Sequence, residues 1–247
     1  MMKSKFFAAV CVAALGLSPS ALAQQAATAP AEASASPASR QAHEQLFQLF
    51  KDSDEAQLKR NPLFGLFRGD LRYASEFGDY ITDEYLAQEK AATTSELARL
   101  HAIDRNLLNS TDQLAYDVFE FTARDTLKGY EPQYLSLTKV RPINHFSGFH
   151  TFYPSFSSGE GGAPFETVTD YENALKRHAG YARYLDRAIG RFREGEAAGV
   201  FETKMTIRNV IEQLDTQLKQ PVEESPFYQP VTKFPDDFSD ADQARLR

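Results

Sequence analysis

From Arg40 onward the apolar residues recur with a helical period. Leu46, Phe47, Leu49 and Phe50 alternate with polar positions up to Arg60, where Asn61-Pro62 interrupts. This predicts a first helix with Phe47 in its core. Thr82-Asp83-Glu84 opens a second helix, its acids suited to the dipole of a first turn. Tyr85, Leu86, Leu97, Leu100, Ile103 and Leu107 carry that helix to Leu108. Ser110 or Thr111 caps a third, with Leu114, Val118 and Phe121 on one stripe and an end near Gly129 and Pro132. Thr167 or Thr169 caps a fourth; its apolar stripe is Tyr181, Leu185, Ala188 and Phe192, closed by Gly195 and Gly199. A fifth runs from Lys204 to Lys219.

Residues 133–166 break the pattern. Pro142, Pro154 and Pro164, with Gly148, Gly159, Gly161 and Gly162, forbid a long helix there. Short extended pieces such as Tyr134–Val140 are expected to pair as a small hairpin. The expected fold class is therefore mainly α: a helical lobe with one irregular Pro/Gly/aromatic insert over about 133–166. No internal repeat is visible.

The two ends read differently. Lys3 and Lys5, an apolar run from Phe6 to Leu17 and Ala21-Leu22-Ala23 make a secretory signal peptide over 1–23. The apolar run would rise only about 18 Å as a helix, against a hydrocarbon core of roughly 30 Å. We therefore expect cleavage, a periplasmic or secreted protein, and no membrane span afterwards. Gln24–Ser39, rich in Ala, Ser and Pro, has too little apolar surface to offset ordering and reads as a disordered linker. The folded domain is expected over 40–247. Ser239-Asp240-Ala241-Asp242 is a helix start close to Arg247, which suggests a domain incomplete at its C-terminus; a frayed tail is the alternative.

Charge narrows the function. Removing Lys3 and Lys5 takes the net charge from −7 to −9, which disfavours nucleic acid, whose binding rests on neutralising phosphates. Cys11, the one cysteine, lies in the signal segment, so packing must hold the domain without disulfides.

One stretch, RPINHFSGFHTFYPSF at 141–156, has the look of a site. It carries His145 and His150 among aromatics, with no charge after Arg141. Five residues apart, the two histidines would lie about 140° apart on a helix and on opposite faces of a strand. A metal centre would need a loop and a third ligand. Packing of the insert and the lining of a cleft both remain open. We nominate Asn144, His145, His150 and Tyr153 as substrate contacts, and no residue as catalytic or metal-binding.

Other motifs are incomplete. His43-Glu44-Gln45-Leu46-Phe47 misses the zinc motif H-E-x-x-H because Phe47 replaces the second His. His101 and His178 read as helix surface. Arg183, Arg187 and Arg191 form a stripe that Asp186 and Glu194 can pair internally. Ser157–Gly162 lacks the Lys of a phosphate loop, and there is no G-x-S-x-G elbow.

Several patches taken together resemble a known family. They are Asn61-Pro62 with Gly65 and Gly69-Asp70, and Arg141-Pro142-Ile143-Asn144 with Gly148. The most specific run has Phe165, Asp170-Tyr171-Glu172-Asn173, Leu175, Arg177, Ile189, Arg193-Glu194-Gly195, Gly199-Val200, Val210-Ile211 and Gln213-Leu214. Over about 42–230 the chain is similar to the N-terminal part of the bacterial family called domain of unknown function 885. That resemblance implies a two-lobed, zinc-peptidase-like helical fold with a deep cleft, a peptide substrate, and zinc only in a complete member. The family's zinc signature lies in its C-terminal half and matches no position here, so no catalytic residue carries over. The expected partner is that missing half. The expected function is the N-terminal lobe of an exported metallopeptidase-like protein, inactive by itself; the alternative is a non-catalytic exported helical module that binds peptide or protein.

Overall fold

The computed structural model describes residues 36–247, and these contain nine α-helices and no strand. The mainly α expectation holds. The expected signal peptide, and the linker up to residue 35, lie outside the described residues.

Helix α1 (Pro37–Arg60) begins three residues before the expected start at Arg40. Pro37 occupies N1, where its missing N–H costs nothing, and the Ser36 hydroxyl accepts from the Ser39 amide. The last linker residues are thus the first turn of a helix. Asn61-Pro62 ends α1 and starts α2 (Pro62–Phe67). Helix α3 (Asp83–His101) is capped by Thr82 but stops short of Leu108. Instead, the Asp104 side chain accepts from the Asn106 amide and turns the chain through one 3-10 turn. Helix α4 (Ser110–Gly129) is capped by Asn109, whose oxygen accepts from the Thr111 and Asp112 amides.

Helices α1, α3 and α4 share one core of Ala42, Leu46, Leu49, Leu100, Ile103, Leu108 and Tyr116. Two expectations fail here. Phe47, read as core, is 47 % exposed, because the inward line of α1 is 42-46-49 and Phe47 lies about 100° round from Leu46. The α4 stripe Leu114, Val118 and Phe121 also faces outward, at 65 %, 56 % and 71 % exposure. The buried line is Asp112, Tyr116 and Ala123, on the opposite side of the helix.

The expected hairpin at Tyr134–Val140 is helix α5 (Pro132–Thr138), again started by a proline. Within the same insert, α6 (Phe149–Phe156) contains Pro154. That proline leaves the His150 carbonyl without its helical donor, and the Gln217 amide supplies one at 2.8 Å. Helix α7 (Val168–Ala198) carries a complete capping box between Thr167 and Asp170, and Gly199 closes it in the left-handed conformation at φ 70°. Helix α8 (Lys204–Lys219) has the bounds its sequence pattern predicts. Helix α9 (Asp240–Leu246) starts at Ser239, as expected.

A second core joins α2, the 74–81 segment, the insert, α7 and α8, and Phe77 stands at its centre. A third packs Val231, Phe234, Phe238 and Leu246 on Tyr171 of α7. Among the described residues, no helix is long and apolar enough to cross a membrane.

Candidate functional site

A cleft of about 710 Å³ opens between the end of α1, residues 75–79, the first turns of α3 and the middle of α7. Its floor depends on Gly180. A Cβ there would lie 2.5 Å from the Cβ of Phe77, so only glycine lets the loop approach the helix so closely. Phe77, 3 % exposed, sits under the cleft with Tyr85 on the wall. The Tyr85 hydroxyl donates to the Asn61 side-chain oxygen at 2.7 Å.

Arginines of α7 staple the loop above this floor. The buried Arg177 donates to the Ala74 carbonyl. Arg187 pairs with Asp79. Arg191, 5 % exposed, donates to the Ile81 carbonyl, Asp83 and Glu194 at 2.7–2.8 Å. The Arg191 hydrogen bond holds the Asp83 carboxyl below the usual range. The expected internal pairing of the arginine stripe holds only for Arg191 with Glu194. Asp79 and Asp83, from outside the helix, pair Arg187 and Arg191, and Asp186 makes no ion pair among the described residues. Arg183, in the same stripe, faces the cleft without a carboxylate partner among the described residues, as do Lys59 and Lys176. Glu76 and Glu84 line the cleft and make no ion pair there.

The residues nominated from sequence lie elsewhere. His150 and Tyr153 are fully buried, so neither has a face to offer a substrate. Nε2 of His150 pairs with the Gln213 oxygen at 3.0 Å, and the Gln213 amide donates to the His145 carbonyl at 3.0 Å. Asn144 closes its own turn, accepting from the Phe146 and Ser147 amides at 2.9 Å. His145 is half-buried beside Phe146. The 141–156 stretch thus packs an insert onto α7 and α8.

His178, read as helix surface, is half-buried between Tyr153 and Phe227, with Nδ1 3.0 Å from the Tyr153 hydroxyl. Burial, helped by the Arg177 charge, lowers its pKa to about 4. A Phe227 ring from beyond α8 covers it, which helix periodicity alone cannot foresee. The cleft residues Lys59, Glu76, Phe77, Lys176 and Gly180 were likewise missed. One signal existed: a glycine in mid-helix usually has a packing reason, and Gly180 has one.

The described residues do not fit a zinc ion. His43 pairs with Asp112 at 2.8 Å and His101 with Glu120 at 2.9 Å. Among the described residues, no group of three His, Cys, Asp or Glu side chains could hold a metal.

The family described as "Bacterial protein of unknown function (DUF885)" matches residues 62–247. That is well over half of the chain, and the chain belongs to this family. Neither a curated protein nor a solved structure matches it.

Proposed function

We propose that this member of the bacterial DUF885 family is the peptide-binding helical part of an exported, peptidase-like hydrolase. The observation that carries the reading is the cleft over Phe77, whose volume of about 710 Å³ lies in the range of small-ligand sites. Its lining suits a peptide. Tyr85 and Ala179 offer apolar surface above the buried Phe77, and charges of both signs stand around the rim. The chain binds and orients the substrate in that cleft.

The second reading is a binding module with no chemistry of its own. It is favoured by His43, His101, His150 and His178, whose rings are each engaged by a separate partner. One experiment tests both. The protein is incubated with a mixed peptide pool, with and without a chelator, and bound and new peptides are read by mass spectrometry. The account expects peptides retained intact by this chain, indifferent to chelator. Chelator-sensitive hydrolysis is expected of the protein isolated from its own organism. If no peptide is retained, both readings fail. Retention without hydrolysis in either preparation favours the module.

A further inference from the structure

Resting on the peptide-binding reading, we propose that the cleft selects peptides rich in carboxylates, and that Lys59, Lys176 and Arg183 read them. The charges of the cleft sort into two groups. Arg60 is held by Glu89 and Arg187 by Asp79, so both are neutralised in place. Lys59, Lys176 and Arg183 line the same cleft, are exposed, and have no carboxylate partner among the described residues. Glu76 and Glu84 offset only part of that charge.

Geometry makes the three cations one site. Lys176 and Arg183 are seven positions apart on α7, two turns and roughly 10 Å along a single face. Gly180 lies between them, where the Phe77 loop packs directly onto the helix. Lys59 faces them from the end of α1. An extended peptide laid along α7 would meet the exposed Ala179 in the middle and a cation at each end. Its acidic side chains or C-terminal carboxylate would satisfy those cations, and Arg183 can take a carboxylate with two parallel donors.

The setting is unusual for this protein. The chain carries a net charge of −7, so its general field repels acidic ligands, while the cleft lining carries a local cationic excess. Selectivity must therefore come from short-range contacts, and the cleft walls reduce the screening those contacts suffer.

The test is calorimetric titration of the whole protein with a short Glu-rich peptide and with its isosteric Gln-rich twin, each at low and high salt. We expect the Glu-rich peptide to bind at least about tenfold more tightly at low salt, with the advantage shrinking as salt rises. The Lys176→Gln/Arg183→Gln double variant should lose that advantage and bind the two peptides alike. Both positions are exposed, so folding should survive, and an unchanged melting temperature checks it. Equal binding of the two peptides by the native protein would overturn the selectivity and leave the peptide reading standing. Binding of neither would remove the peptide reading itself. An advantage that persists in the double variant would place the carboxylate contacts elsewhere and overturn the assignment.

Discussion

Replacing Phe77 with Ala tests the link between the core and the cleft floor. The ring is 3 % exposed and packs against five aromatic rings, with centroids 5.0 Å from Tyr153, 5.1 Å from Phe149 and 5.7 Å from Tyr80, Tyr181 and Tyr184. Removing it forfeits about 2 kcal/mol of transfer free energy. The neighbouring rings belong to α6, α7 and the 77–80 turn and are held by their own packing, so the space cannot collapse fully. A residual void of about 80 Å³ adds about 2 kcal/mol at roughly 24 cal/mol per Å³. The expected loss is about 4 kcal/mol, equivalent to a drop in Tm of roughly 8–16 °C for a domain of this size. Urea unfolding followed by circular dichroism reads it as a lower midpoint at unchanged slope. Phe77→Leu keeps most of the volume and should lose about 1.5 kcal/mol or less. A loss below about 1 kcal/mol for Phe77→Ala would refute the placement of this ring at the hub.

Three further outcomes follow from the same structure. Thr167→Ala removes the hydroxyl that accepts from the Asp170 amide at the head of α7, and should cost about 1 kcal/mol in a thermal melt; no loss would contradict the capping box. For His178 the folded pKa is depressed to about 4, against about 6.5 unfolded. The unfolded chain binds the extra proton between those values, so this contribution is complete above about pH 6.5 and is lost as pH falls toward about 4. His178→Phe should flatten the fall in denaturation midpoint across that window, and an unaltered pH slope would contradict the buried neutral ring. Leu114→Ser and Phe121→Ser should each change stability by no more than about 0.5 kcal/mol, since both side chains point outward; a core-sized loss would show the stripe to be buried.

Helices with their own stop and start chemistry were legible in the sequence. Lys204–Lys219, the Thr167 cap and the Ser239 cap appear where their residues imply. Where two signals competed, the local one misled. Helix α4 has an apolar line on two sides, and only α1 and α3 decide which line is buried. The proline at 132 suggested a break, but a proline at N1 starts a helix as readily as it ends one. The aromatic 141–156 stretch drew attention as a site because its residues resemble pocket linings. Burial of His150 and Tyr153 shows that the same composition packs a core. The cleft escaped notice because its parts lie far apart: Lys59 ends one helix, Phe77 stands in a turn, and Lys176 and Arg183 share a third element. Charge alone could not single out those cations, since their partnerless state depends on where the carboxylates of other elements fall.

The central claim, that peptides bind over Phe77, is tested most directly by hydrogen exchange of the protein with and without the Glu-rich peptide. The account predicts slowed exchange in residues 75–79 and the first turns of α3. Slowing confined to α6 and its flanks, or slowing nowhere despite measured binding, would contradict it.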